Sequence, residues 1–174
     1  MLRNRTDAYQ LLKRLGAPPR LLLHVQLVGE AADMLVEGYK KLGLNLDAKR
    51  IELGVAIHDA GKIGHPEEMS GPGSLHEAEG KRLMLENGVQ VEIAECCVSH
   101  AAWRSPGLKL EELSVALADK LWKGKREEEL ELLVIDKAAQ YLGTDRWEVF
   151  AALDSVFEDI AAGGTERLQR SNIE

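Results

Sequence analysis

The sequence predicts an all-α, single-domain helical bundle of about seven to nine helices, on three observations. The chain has 174 residues and is 45% hydrophobic but only 5% aromatic, which is typical of helical proteins rather than of sandwiches or barrels. Apolar residues recur at helical spacing through most of the chain. No segment alternates apolar and polar residues over the length of a strand, so we expect helices joined by short connections.

The first two helices are marked by their ends and by one long apolar stripe. Helix one is predicted over residues 7–15, with Thr6 or Asp7 as its cap and Gly16 as its stop. Helix two is predicted over residues 20–42, after a pair of prolines that breaks the chain. The stripe of helix two comprises Leu21, His24, Val28, Ala31, Leu35 and Tyr39. A histidine therefore lies on the side of this helix that faces the core.

Helix three ends in two polar residues that are unusual for an apolar helix. Asp47 is its predicted cap, and the apolar run ends at the adjacent residues His58 and Asp59. Burying an imidazole and a carboxylate is costly unless something compensates, and a metal ion does so by taking nitrogen and oxygen as ligands. We expect Gly61 to stop the helix and Lys62 to follow at the mouth of a cavity.

Helices four to six follow a loop over residues 63–73 that is rich in glycine and proline. Ser74 and Glu77 form a capping-box pattern at the start of helix four. Helices five and six are predicted over residues 91–102 and 111–123. Further candidate metal ligands on these three helices are His76, His100 and Asp119.

The C-terminal part is predicted to contain helix seven, over residues 127–142, and helix eight, over residues 146–162. Residues 165–174 are a polar tail or a short last helix. The apolar face of helix eight comprises Trp147, Phe150, Ala151, Leu153, Val156 and Phe157. This face belongs either to the core or to a dimer contact, so a homodimer stays an open expectation.

Charge and cysteine content narrow the classes of partner. The formal net charge of −7 argues against a broad nucleic-acid surface. The two cysteines, Cys96 and Cys97, are adjacent and form no C-x-x-C motif, which fits a reducing compartment. No apolar run is long enough to span a bilayer, and the first residues lack the apolar segment of a signal peptide. We therefore expect a cytoplasmic protein without a membrane partner.

The candidate ligands form the pattern H…HD…H…H…D, which resembles the HD-domain metal-dependent phosphohydrolases. The residues that carry the resemblance are His24, the run His58-Asp59-Ala60-Gly61-Lys62, His76, His100 and the pair Ala118-Asp119. The similarity covers about residues 21–126. We expect one domain over residues 1–174, with a metal-site core over residues 20–126 and a helical extension over residues 127–174.

The resemblance implies a specific set of metal ligands. His24, His58, Asp59 and Asp119 match the four ligands of the core metal. His76 and His100 match the histidines added in subgroups that hold two metals, where Asp59 would bridge the pair. One or two divalent ions are expected, of Fe, Mn, Zn, Co or Ni, because mixed imidazole and carboxylate ligands suit Mg less well.

Departures from the family narrow the expected substrate. The cyclic-dinucleotide subgroup has a second histidine beside the His100 position and a Gly-Tyr-Pro motif, and this sequence has neither. The single-metal deoxynucleotidase subgroup has Glu where this chain has Lys62. The subgroup that hydrolyses dinucleoside polyphosphates is similar in its order of six ligands and in size.

The expected chemistry is attack of a metal-activated water on phosphorus. Asp59 and Lys62 are the predicted catalytic residues, with Lys62 holding a phosphate oxygen. The predicted substrate contacts are Lys62, Arg104, Lys120 and Lys123. No general acid for the leaving group is assigned. His65, in the loop after Lys62, could serve, but a histidine in such a loop is equally a bystander.

The leading hypothesis is a phosphohydrolase that acts on a nucleotide or another small phosphate ester or anhydride. The alternative is a non-catalytic nucleotide-sensing or scaffold module that retains a structural metal site. Each residue also has a structural alternative. His24 and His100 could be core histidines, Asp119 could pair with Arg126, and Lys62 could stabilise a helix end.

Overall fold

In the computed structural model, which describes residues 1–173, the chain forms ten α-helices, two 3₁₀ turns and no strand. The helices are α1 (Arg5–Arg14), α2 (Pro19–Lys41), α3 (Ala48–Ile57), α4 (Leu75–Glu86), α5 (Val91–Ala94), α6 (Cys96–Ser99), α7 (Leu110–Leu121), α8 (Glu128–Leu142), α9 (Arg146–Ala162) and α10 (Gly164–Ser171). The 3₁₀ turns span Ala60–Ile63 and Pro66–Met69. The prediction of an all-α bundle is confirmed.

Helix α2 lies at the centre of the bundle, against α3, α7, α9 and α10. Val28 and Leu35 of its apolar stripe are fully buried, together with Leu117 of α7 and Phe157 of α9. A second apolar cluster joins α1, the end of α3 and the helices α4 to α6. The inner side of α2, which also carries His24, therefore faces α3 and α7.

Several boundaries differ from the sequence prediction. Asn4 caps α1, because its Oδ1 accepts from the amide of Asp7 at 2.9 Å, whereas neither Thr6 nor Asp7 is the cap. Predicted helix five is two four-residue helices that meet at Glu95. The predicted tail contains α10, so the alternative of a short last helix is the correct one.

The C-terminal extension packs back on the rest of the bundle through α8 against α7 and α9 against α2. Leu153 and Phe157 of α9 are fully buried in the core, while Trp147 on the same helix is 71% exposed. The apolar face of α9 therefore contributes mainly to the core. Within residues 1–173, no helix combines the length and the apolar character needed to cross a membrane.

Candidate metal centre

The centre begins where α3 ends. The last residue of the helix is Ile57, and His58 and Asp59 follow with side chains that are 0% and 3% exposed. Helix α3 ends four residues before Gly61, and Gly61 has no positive φ, so the prediction that Gly61 stops the helix is wrong. Instead it allows a close approach, since a Cβ at Gly61 would overlap the carbonyl oxygen of His76 and lie 2.6 Å from the amide nitrogen of Gly80. Because Gly61 has no side chain, α4 can pack close enough to place His76 beside His58 and Asp59.

A first group of donor atoms is drawn from α2, the end of α3 and α7. His24 Nε2 lies 3.0 Å from Asp59 Oδ2 and 3.6 Å from Asp119 Oδ1. His58 Nε2 lies 3.2 Å from Asp119 Oδ1 and 3.6 Å from Asp59 Oδ2. All four donor atoms lie within 4.8 Å of one another, which is close enough for one metal ion.

A second group shares Asp59 through its other carboxylate oxygen. Asp59 Oδ1 lies 3.4 Å from His76 Nε2 and 3.5 Å from His100 Nε2. These three donors also lie within 4.8 Å of one another. The structure therefore brings together all six residues that the sequence predicts as ligands, in two groups that meet at one carboxylate.

The orientation of the histidines fits metal ligation. The Nδ1 of His58 lies 2.7 Å from the carbonyl of Val55, and the Nδ1 of His100 lies 3.0 Å from that of Cys96. Donation of Nδ1–H to these carbonyls leaves the Nε2 lone pairs directed at the carboxylates. His24 Nε2 is buried and makes no hydrogen bond to residues 1–173, although Asp59 Oδ2 is only 3.0 Å away. Lone pairs of nitrogen and oxygen that face one another in this way are better compensated by a shared cation than by each other.

Glu68 is a polar residue of the centre that the sequence analysis missed. It is 6% exposed, and its carboxylate accepts from the backbone amides of Leu75 and His76 at 3.0 and 3.1 Å and is paired with His76 Nδ1. Ser74 makes no side-chain cap, so the predicted capping box is wrong and Glu68 caps α4 from the preceding loop. A carboxylate that caps a helix from a loop leaves no fixed spacing in the sequence.

The histidines and aspartates of the centre shift one another's pKa values. Burial opposes the charged form of His24, but the carboxylates of Asp119 and Asp59 outweigh it and raise the pKa of His24 to about 9. Burial also opposes the charged carboxylates, yet the neighbouring histidines hold the pKa of Asp119 and of Asp59 below the usual value. Burial and the neighbouring His58 lower the pKa of His100 to about 4. The lowered pKa keeps the His100 imidazole neutral at neutral pH, the form that can act as a metal ligand.

A cavity of about 430 Å³ opens over both donor groups, a volume in the range of small-molecule sites. Lys62, Lys120 and Lys123 line it, as does Arg20, which the sequence analysis did not single out. Within residues 1–173, Arg20, Lys120 and Lys123 have no carboxylate within 4.0 Å. An arginine just after a helix start has no pattern of its own, so only the fold reveals that Arg20 faces the site.

Two residues considered in the sequence analysis lie elsewhere. Arg104 does not line the cavity, because its guanidinium pairs with Glu129 at 2.8 Å and stacks on Trp103. We therefore remove Arg104 from the predicted substrate contacts. His65 lies in its loop 3.3 Å from Glu67 and is not among the described residues that line the cavity.

Comparisons with protein-family models, with curated proteins and with solved structures found no match for this chain.

Proposed function

We propose that this protein is a metal-dependent phosphohydrolase of the HD-domain type, which hydrolyses a nucleotide or another small phosphate ester or anhydride. The resemblance in the sequence supports the family, and the two donor groups support the use of one or two divalent ions of Fe, Mn, Zn, Co or Ni. Divalent ions bound there would supply an activated water and would neutralise phosphoryl oxygens.

The position of Asp59 carries this proposal. Its Oδ2 faces His24 and His58, while its Oδ1 faces His76 and His100. A carboxylate that needed only one partner would not require four imidazoles around it in the core, because each buried polar group costs free energy. If ions were held on both sides of Asp59, each of these groups would have a ligand role.

The residues at the mouth of the cavity fit an anionic substrate. The chain has a net charge of −7, yet Arg20, Lys62, Lys120 and Lys123 all line this one cavity. Lys62 Nζ lies 2.8 Å from Asp59 Oδ2, next to the donor groups, and is the best placed of the four to hold a phosphate oxygen at the reacting centre. The other three would attract and orient the remaining negative charge.

The alternative, a non-catalytic sensor or scaffold, is favoured by one observation. The ion pair between Lys62 and Asp59, together with a protonated His24, compensates the buried carboxylates without any metal. Loss of one partner from a buried network of this kind would leave an uncompensated charge, so the network could be retained for the fold alone. Metal content and turnover distinguish the two functions.

The first experiment measures metal per chain on protein purified without chelators and tests the same sample against a panel of nucleotides and small phosphate esters. We expect two ions per chain and release of phosphate or of a nucleotide. One ion per chain would leave His76 and His100 as substrate contacts or core residues. Bound metal without turnover would favour the sensor or scaffold with a structural metal site, and absence of metal with no turnover after addition of Mn or Fe would favour a scaffold held by the ion pairs alone.

Substitution of Asp59, the residue shared by the two donor groups, gives the sharpest test of the mechanism. Asp59→Ala should remove both metal and hydrolysis, because both donor groups lose their shared ligand, while helical content by circular dichroism survives. Asp136→Ala is the matched control, because this exposed aspartate pairs with Arg146 outside the cavity. Hydrolysis by Asp59→Ala at the rate of the parent protein would contradict the mechanism.

A further inference from the structure

One wall of the cavity is built by the C-terminal helix, which lies outside the segment that carries the family resemblance. Leu168 and Ser171 of α10, with the following residue Asn172, line the same cavity as the donor groups. Leu168 is 40% exposed although it is a large apolar residue. The Ser171 hydroxyl donates to the carbonyl of Leu168 at 2.6 Å, so its oxygen remains free to accept a hydrogen bond from a ligand.

Helix α10 is fixed in place by contacts on its other sides. The buried guanidinium of Arg167 donates to the carbonyls of Trp122 and Ile160 at 3.1 and 2.8 Å. Arg170 makes a two-pronged ion pair with Glu30 of α2 at 2.8 and 2.6 Å. These anchors hold the wall in one position relative to α2 and to the end of α7, and both of those helices carry donors of the first group.

The start of α10 also meets the turn after α7 without room for a side chain. A Cβ at Gly164 would overlap the amide nitrogen of Gly124, a residue whose φ is +83°. Trp122, two residues before Gly124, packs edge to face against His24 with ring centres 5.1 Å apart. The wall is therefore a pre-formed part of the cavity, joined to the helix that bears Asp119.

We infer that α10 is the element that selects the substrate: Leu168, Ser171 and Asn172 contact the alcohol part of a phosphate ester whose phosphate lies over the donor groups. None of these three residues is charged, so the wall fits a neutral group. It offers one apolar side chain and two hydrogen-bonding side chains, a combination that suits a nucleoside better than a second phosphate or a simple alkyl group. This inference rests on the proposed function for the position of the phosphate.

The test adds bulk to the wall and compares two ligands that have no ester bond to cleave. The probes are methylphosphonate and an adenosine phosphonate in which methylene replaces the ester oxygen, and calorimetry measures their binding to Mn-loaded protein. Leu168→Trp fills the cavity beside the wall, and Gln169→Trp places the same bulk on the next residue, which is exposed and does not line the cavity. Thermal unfolding and metal content verify that both variants are folded and loaded.

We expect the parent protein to bind the adenosine phosphonate more tightly than methylphosphonate. Leu168→Trp should reduce this preference at least about tenfold, because the indole would take up the space that the nucleoside needs, while Gln169→Trp should leave it unchanged. Equal affinities in the parent, or a preference that Leu168→Trp leaves intact, would overturn the inference. The probes are not hydrolysed, so binding is measured independently of turnover. If the protein lacks turnover but shows the expected change in binding, the proposed hydrolase function fails while the inference about α10 stands.

Discussion

At the scale of single residues, the two donor groups differ in the hydrogen-bond partners of their histidines, and Glu68 is the cause. His58 and His100 have their Nδ1 atoms on backbone carbonyls, whereas His76 has its Nδ1 on the carboxylate of Glu68. A carboxylate partner makes an imidazole a stronger electron donor than a carbonyl does and fixes its tautomer. Glu68 is therefore a positioning residue for the second group, through His76, and has no such contact with the first.

This asymmetry predicts a selective loss of metal in Glu68→Gln. Loss of the carboxylate should weaken binding of the second ion about tenfold to a hundredfold and leave the first ion in place. Calorimetric titration of metal-free protein with Mn checks this. Glu67→Gln is the matched control, because Glu67 is exposed and lies in the same loop. Equal weakening of both ions would show that Glu68 acts only by holding the fold.

The residues that the sequence analysis found and missed differ in a physical way. His24 and Asp119 are polar groups on apolar helices, and His58 and Asp59 follow directly on an apolar helix; the free-energy cost of burying them makes all four conspicuous in a single sequence. Glu68 and Arg20, in contrast, lie in a polar loop and at a helix start, where a charged residue is common and does not stand out in the sequence. Their proximity to the cavity is a result of tertiary packing, which periodicity does not encode.

At the scale of helices, the approach of α4 to the 3₁₀ turn Ala60–Ile63 depends on two glycines. A Cβ on Gly61 would overlap backbone of α4, and a Cβ on Gly80 would lie 2.9 Å from the amide nitrogen of Gly61. Backbone cannot move aside as a flexible side chain can. The second donor group is therefore assembled by a glycine contact between two elements, since His76 lies on α4.

Gly61→Ala should accordingly separate the two elements. We expect the free energy of unfolding to fall by about 3 kcal/mol, since the added methyl meets backbone atoms in a packed region. The second ion should be lost as well, because His76 moves with α4. Gly64→Ala is the control: its φ is −85° and the nearest atom to an added Cβ is 3.6 Å away, so stability should change by less than about 1 kcal/mol. Urea unfolding and metal analysis of the two variants provide the measurement, and similar stability in both would contradict the packing argument.

Helix periodicity predicted the long helices well and the short ones poorly. The apolar stripe of α2 and the full extent of α9 (Arg146–Ala162) were confirmed, because both helices bury a continuous face. Helix α10 buries chiefly a glycine and Arg167 and has no apolar stripe. It is held by hydrogen bonds of one guanidinium to distant carbonyls, and a sequence does not reveal such partners.

At the scale of the whole molecule, the buried charges of the centre couple stability to pH when no metal is bound. The pKa of His24 is raised from 6.5 to about 9 in the folded protein by Asp119 and Asp59. A raised pKa stabilises the fold fully below 6.5, and this contribution is lost as the pH rises through about 9. His100 acts on the other side, because its pKa is lowered to about 4 and the unfolded chain takes up its proton first as the pH falls.

A bound metal should replace the proton of His24 and thereby remove the loss of stability that the metal-free protein shows as the pH rises. We expect the difference in melting temperature between metal-loaded and metal-free protein to widen as the pH rises from 6.5 to about 9, since ligation then no longer competes with a proton. His24→Gln should reduce the pH dependence of the metal-free protein over this range without abolishing it, because the pKa values of His58 and His76 are also raised by the carboxylates, whereas His65→Gln, outside the cavity, should retain the full dependence. A melting temperature of the metal-free protein that stays constant from pH 6.5 to 9 would show that His24 is neutral in the fold and that Asp59 and Asp119 depend on other partners.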